Sequence, residues 1–106
     1  MREPQLVTLH RPIRGVTRTI IMRPNGQVVV PVRQEHGLAT WLLEPGRYIA
    51  VTISKPRWLL PYEVIVQCLE VDVGVRSVVW ELKFLNVRVT RGKLLEWARA
   101  CPGELG

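Results

Sequence analysis

Residues 16–33 read VTRTIIMRPNGQVVVPVR and decide the fold class. β-Branched residues dominate Val16–Arg23 and return in Gln27–Arg33, which is typical of β-strands. The two runs are separated by Pro24-Asn25-Gly26, and an Asn-Gly pair accepts the positive φ angles of a type I′ turn. The stretch therefore predicts a β-hairpin.

The segments on either side of this hairpin extend the pattern. Leu6–Leu9 is short, apolar and bounded by prolines, which favours an edge strand. Residues 33–44, RQEHGLATWLLE, predict one or two helical turns that end at Pro45-Gly46. In Arg47–Ser54 large aliphatic residues alternate with smaller ones, which indicates a half-buried strand.

Two long strands and a helix are predicted in the second half. Tyr62–Val73 is apolar on both faces, as a central strand covered on two sides would be. After a turn at residues 74–76, Ser77–Thr90 reads as another strand, and its apolar parity changes at Phe84-Leu85, which indicates a bulge or bend. Thr90 can cap a final helix over Arg91–Ala100.

The predicted fold is mainly β and forms a single domain over residues 1–106. It has five to six strands, a short middle helix and a C-terminal helix. The bent strand favours a small barrel-like arrangement, and an architecture of swapped hairpins is the other form considered.

The charge of the chain points to a polyanionic partner. The net charge is +6 and twelve of the fifteen basic residues are arginine, whose planar fork suits phosphate oxygens. Residues 1–57 hold almost all of the excess, whereas the second half is nearly neutral. A surface rich in ion pairs is the plain alternative. The residues predicted to bind nucleic acid, with DNA favoured, are Arg11, Arg14, Arg18, Arg23, Gln27, Arg33, Arg47, Lys55, Arg57 and Trp58.

Aromatic residues add a second kind of contact to this prediction. Trp58 follows Arg57 in a proline-bounded segment and could stack on an unpaired base, with Trp41 and Tyr48 as further candidates. A tryptophan among leucines is more often a core or interface anchor, and this reading is preferred for Trp58 and more strongly for Trp41, Trp80 and Trp97.

Catalysis, metals and cofactors are not predicted. The only aspartate is Asp72, and neither histidine stands in a catalytic context. Cys68 and Cys101 have no zinc-ligand spacing, and whether they pair is left open. No apolar run is long enough to cross a membrane, and the first residues do not resemble a secretion signal, so a cytoplasmic protein is expected.

Residues 18–53 resemble the AbrB/MazE-like family of swapped-hairpin DNA-binding domains. The resemblance lies in Asn25-Gly26-Gln27 followed by three valines and Pro31, then a helix-like segment, then Pro45-Gly46 and a strand. It implies a dimer of interleaved hairpins and a helix after Pro31. It also implies that DNA is read by basic and polar residues near the hairpin, which here are Arg18, Arg23, Gln27 and Arg33.

Two other functions fit the same sequence. One is a protein-interaction or assembly module, an oligomerising accessory or viral structural component, in which tryptophans and leucine pairs serve subunit interfaces. The other is an OB-like or SH3-like barrel that binds RNA or single-stranded DNA. A homodimer or higher homo-oligomer is expected in the leading reading.

Overall fold

The computed structural model describes residues 5–10, 16–35, 38–55, 63–72 and 75–101. These residues form eight strands and one helix, so the mainly β class and the C-terminal helix are confirmed, with more strands than the five to six predicted. The elements are β1 (Gln5–His10), β2 (Val16–Met22), β3 (Val28–Val29), β4 (Arg33–Glu35), β5 (Leu38–Leu43), β6 (Gly46–Lys55), β7 (Glu63–Asp72), β8 (Val75–Leu85) and α1 (Arg91–Ala100).

The strands form two antiparallel sheets. The larger sheet has the order β3-β2-β6-β7-β8 and the smaller has β1-β5-β4, so β1 is the edge strand that the sequence predicted. Apolar residues of α1 cover one face of the larger sheet, and β5 covers part of the other face. No backbone pairing among the described residues joins β3 to β8. The larger sheet is therefore open, and the barrel-like prediction is replaced by two packed sheets.

The predicted hairpin is confirmed, but its turn differs from type I′. β2 pairs with β3, with Ile21 opposite Val29. The Gly26 amide donates to the Arg23 carbonyl at 2.8 Å, and the Arg23 amide donates to the Gln27 carbonyl at 2.9 Å. Gly26 has a φ of 92° whereas Asn25 does not have a positive φ. A type I′ turn needs two such residues, so this loop is a three-residue one that places Gly26 after the turn.

The predicted middle helix at residues 33–44 is wrong, because the described part of this segment forms β4 and β5. In β5 the exposed Leu42 lies between the buried Trp41 and Leu43, and this period of two belongs to a strand. β5 pairs with β1 along six residues, and the Trp41 Nε1 donates to the Val29 carbonyl at 3.1 Å. Contacts with distant strands outweigh the local helical preference, so the helix implied by the AbrB/MazE-like resemblance does not form.

β6 is covered on both faces, which corrects the prediction of a half-buried strand. Ile49 and Val51 face α1, whereas Tyr48 and Ala50 face the smaller sheet. β7 lies between β6 and β8, as predicted for a central strand. The sequence underestimated the burial of β6, because a small residue and a tyrosine on one face do not form an obvious apolar pattern, although Tyr48 and Ala50 are both buried.

β8 departs from its prediction at both ends. Its first two residues, Val75 and Arg76, already pair with Asp72 and Val71, in place of the predicted turn. The strand ends at Leu85, and Asn86 has a φ of 56°, so the parity change marks the end of the strand. The irregularity lies earlier, where Cys68 pairs with Trp80 and Leu69 pairs with Val78, which leaves Val79 as an extra residue in a β-bulge.

The C-terminal helix is capped as predicted and is tied to the sheet by a disulfide. The Thr90 hydroxyl accepts a hydrogen bond from the Lys93 amide at 3.2 Å. Trp97 is buried and stacks on Phe84 of β8, with ring centroids 5.7 Å apart. Cys101 is bonded to Cys68 of β7, which answers the open question about these cysteines. α1, the helix within the described ranges, is too short and too polar to span a membrane.

Candidate nucleic-acid interface

The tip of the β2–β3 hairpin lies beside the connection between β5 and β6. Together they line a pocket of about 350 Å³, which we call the hairpin-tip pocket. Pro24 favours the hairpin turn and Pro45-Gly46 ends β5, so the backbone reverses direction on both sides of the pocket. The lining residues are Arg23, Pro24, Asn25, Pro45, Gly46, Arg47 and Tyr48.

Arg23 is held in place by two neighbours. Its guanidinium carbon lies 5.9 Å from the centre of the Tyr48 ring, which is the geometry of a cation–π contact. Its Nη2 atom lies 4.0 Å from a carboxylate oxygen of Glu44. The side chain keeps 43% of its surface exposed. Arg23 is thus oriented by the tyrosine and still open to a ligand.

Tyr48, which orients Arg23, is itself held in place by a hydrogen bond to the backbone. Its hydroxyl donates a 2.6 Å hydrogen bond to the Glu44 carbonyl. Burial raises the pKa of Tyr48 above the ordinary 10.0, the Glu44 carboxylate adds to the rise, and the positive charge of Arg23 opposes it. The phenol therefore stays protonated at neutral pH and keeps donating to the backbone.

Arg47 forms the second basic wall of the pocket. Its Nη2 atom lies 3.6 Å from a carboxylate oxygen of Glu70, and its side chain is 22% exposed whereas that of Glu70 is 54% exposed. Neither Glu44 nor Glu70 lines the pocket. Two arginines and no acidic residue therefore line the space, and guanidinium groups bind phosphate or carboxylate oxygens through paired N–H donors.

The other predicted binding residues do not join this pocket. Arg18 is exposed on β2 opposite Ile53, which places it on the face that α1 covers. Arg33 is exposed on β4 opposite Thr40, on the outer face of the smaller sheet. Gln27 is exposed, and its backbone amide donates to the Asn25 side-chain oxygen at 2.9 Å. The structure describes only the backbone of Lys55, and it does not describe Arg11, Arg14, Arg57 and Trp58.

The prediction of a single cationic face is therefore only partly met within the described ranges. Arg23 and Arg47 meet at one pocket, whereas Arg18 and Arg33 lie on opposite sides of the packed sheets. Trp41 is buried, which excludes it as a base-stacking platform and agrees with its reading as a core anchor.

The residues predicted to bind nucleic acid do not include a group of exposed arginines near the C-terminus. Arg88, Arg91 and Arg99 make no ion pair with any described acidic side chain, and with Arg18 they form a set that we call the helix-side arginines. The second half of the sequence has a net charge near zero because its acidic and basic residues are summed without regard to the face of the sheet on which they lie. Two of those acids, Glu63 and Glu81, project from the opposite face of β7 and β8.

The surface on the α1 side is accordingly basic. Of the side chains that the structure describes there, six are basic and three are acidic. The basic ones are Arg18, Arg47, Arg88, Arg91, Lys93 and Arg99, and the acidic ones are Glu70, Asp72 and Glu96. The first turn of α1 contains no acidic residue. Among the described residues, no cluster of three or more histidines, cysteines or acidic side chains suits a metal ion.

Comparison with known proteins gives the fold and leaves the function open. No protein-family model matches the sequence, and no curated protein does. The structure is similar to that of a lysine-to-alanine variant of ORF157 from Acidianus filamentous virus 1, with a TM-score of 0.58 and 15% identity over 93% of this chain and 76% of that one. It is also similar to an engineered protein, Northeast Structural Genomics Consortium target OR43, with a TM-score of 0.57 and 16% identity over 81% of this chain. The match spans 61% of the engineered protein.

Proposed function

We propose that this protein binds nucleic acid through the phosphate backbone, with one phosphate held in the hairpin-tip pocket. The observation that carries the proposal is the lining of that pocket. Arg23, just after β2, and Arg47, in the neighbouring β6, line it, and no acidic residue does. Two forked donors on either side of one space match the tetrahedral oxygens of a phosphodiester.

The ion pairs of these arginines leave donors for a ligand. The separations of 4.0 and 3.6 Å exceed the roughly 2.7–2.9 Å of a strong charge-assisted hydrogen bond. Pairs between exposed side chains typically contribute about 0–1 kcal/mol. Each guanidinium has five N–H donors, so a phosphate can bind without breaking the contacts that orient the arginines.

The helix-side arginines extend the basic surface beyond the pocket. They are exposed and lack described acidic partners, so each is free to approach a further phosphate. Binding of this kind neutralises the backbone and reads no base edge, so it should depend weakly on sequence and strongly on salt. Duplex DNA remains the favoured ligand, with single-stranded DNA and RNA as the forms to compare.

The test is fluorescence anisotropy of labelled duplex DNA, single-stranded DNA and RNA between 50 and 200 mM salt. The double variant Arg23→Ala with Arg47→Ala should bind the preferred ligand more weakly, and the magnitude of the slope of log affinity against log salt should fall by about 1, because the single phosphate contact in the pocket is lost. Circular dichroism of the variant establishes that it is folded.

Arg76→Ala is the matched control. Arg76 is also exposed, but it lies opposite Val71 on β8, two strands away from β6 and outside the lining of the pocket. Its removal should change the salt slope by much less than 1. Equal losses for the control and the double variant would reject the pocket, and absence of binding to all three ligands at 50 mM salt would reject the function.

A further inference from the structure

β8 is a long and unprotected edge of the larger sheet. It runs for 11 residues, and only Trp80 and Phe84 are partly buried. Nothing among the described residues pairs with its outer side, so a row of backbone donors and acceptors faces away from β7. The opposite edge, β3, has only two residues and is soon followed by Pro31, which limits pairing there.

Apolar side chains are concentrated along this edge. Nine large hydrophobic residues are exposed in the described part of the chain, and five of them belong to β8. These five are Val75, Val78, Val79, Leu82 and Leu85. An edge that offers both backbone hydrogen bonds and apolar surface is a pairing site for another strand.

The part of β8 from the bulged Val79 to Leu85, just before the left-handed Asn86, is complementary to itself. If two copies of Val79–Leu85 run antiparallel about Leu82, Glu81 of each copy lies opposite Lys83 of the other. The same register sets Trp80 opposite Phe84, Val79 opposite Leu85, and Leu82 opposite its own equivalent. Opposite charges and aromatic pairs at directly opposed positions each stabilise an antiparallel pair.

We propose that two copies of this protein associate through antiparallel pairing of their β8 strands, centred on Leu82, to form a continuous ten-stranded sheet. Seven opposed residue pairs give about six to eight backbone hydrogen bonds, because alternate pairs exchange two each. Within its own chain Glu81 accepts a hydrogen bond from Gln67 at 2.6 Å and Lys83 lies 3.2 Å from Glu63, but the Lys83 side chain is still 59% exposed. The self-complementary charges identify a second copy as the partner, since the same two-fold axis matches Glu81 with Lys83 twice.

This interface is separate from the hairpin-tip pocket. The pocket lies between the hairpin tip and the start of β6, and β7 stands between β6 and β8. Association through β8 therefore leaves both pockets accessible. The dimer does not depend on the proposed function, so loss of dimerisation and loss of nucleic-acid binding are measured independently.

Charge reversal tests the register. The wild-type protein should be a dimer by sedimentation at micromolar concentration. Glu81→Lys alone and Lys83→Glu alone place like charges opposite each other twice, so each should weaken the dimer at least tenfold. The double variant exchanges the charges and should recover most of the association. A wild-type monomer at 100 µM, or single variants that dimerise like the wild type, would overturn the proposal.

Cross-linking tests the same contact without relying on charge. Cys68 and Cys101 are bonded to each other, so a Leu82→Cys variant has a single free thiol. The two introduced thiols would oppose each other across the axis and should form an intermolecular disulfide under mild oxidation. Val75→Cys is the control, because Val75 is at least as exposed as Leu82 on the same strand but lies outside the paired segment. Cross-linking of the control but not of Leu82→Cys would refute this register.

Discussion

Gly26 shapes the tip of the hairpin and, through it, one side of the hairpin-tip pocket. Its φ of 92° lies in a region that other residues adopt only with strain. A Cβ atom placed on Gly26 would lie 2.5 Å from Cδ2 of Leu95 in α1. The backbone conformation of Gly26 and its close approach to α1 thus both require a residue without a side chain.

Replacing Gly26 with alanine should destabilise the fold by about 1–2 kcal/mol, chiefly through the left-handed backbone. Leu95 can rotate to relieve part of the contact. Gly92→Ala is the matched control, because its Cβ would meet nothing closer than the Thr90 hydroxyl at 3.8 Å and alanine favours a helix. Urea unfolding of both variants measures the difference. A Gly26→Ala variant as stable as the wild type would contradict this view of the tip.

At this scale the sequence predicted the position of the hairpin and both of the arginines that border the pocket. It did not predict the turn type, because Pro24 at the first central position favours a turn in which only Gly26 needs a positive φ. It also could not predict the partners of Arg23 and Arg47. Glu44 and Glu70 reach them only after β5, β6 and β7 are in place.

Among the elements, β5 shows most clearly how tertiary contacts override local preference. The letters LATWLL contain residues with good helical propensity, yet they extend the smaller sheet and place Trp41 and Leu43 against the larger one. The sequence could not reveal this, because β1, its main partner, is separated from it by some thirty residues. Long-range pairing decides such short, ambiguous segments.

Single truncations along β5 distinguish a strand from a helix. Trp41→Ala should cost about 3–5 kcal/mol, because the side chain is 1% exposed and leaves a large cavity. Leu42→Ala should cost less than about 1 kcal/mol, since Leu42 is 45% exposed on the outer face. Denaturant unfolding gives both values. Similar losses at the two positions would contradict the alternating pattern.

For the whole molecule, the placement of charge matters more than its total. The sequence predicted an excess in the first half, but folding pairs Arg23 and Arg47 with acids and leaves Arg88, Arg91 and Arg99 exposed near α1. A net charge of +6 cannot distinguish these outcomes, because it counts residues without regard to the face on which they lie. The sequence could not show that the helix-side arginines lie on one side of the molecule, because this depends on the strand order and on the position of α1.

The Cys68–Cys101 disulfide joins α1 to the centre of the larger sheet and closes a loop with a sequence separation of 33. A loop of this length is worth about 4 kcal/mol in the chain-entropy description. Unfolding with a strong thiol reductant present should therefore need markedly less denaturant than without it. A midpoint that does not change on reduction, once thiol titration has shown that the bond is broken, would contradict this role.

The most direct test of phosphate binding at the hairpin tip is the mapping of backbone amide chemical shifts during titration with a short DNA duplex at low salt. We expect the largest changes at the amides of Arg23, Asn25, Gly26 and residues 46–48, followed by the first turn of α1. Amides of β8 and of the outer face of β5 should move little. Changes concentrated on β8 or β5, with the hairpin tip unmoved, would contradict it.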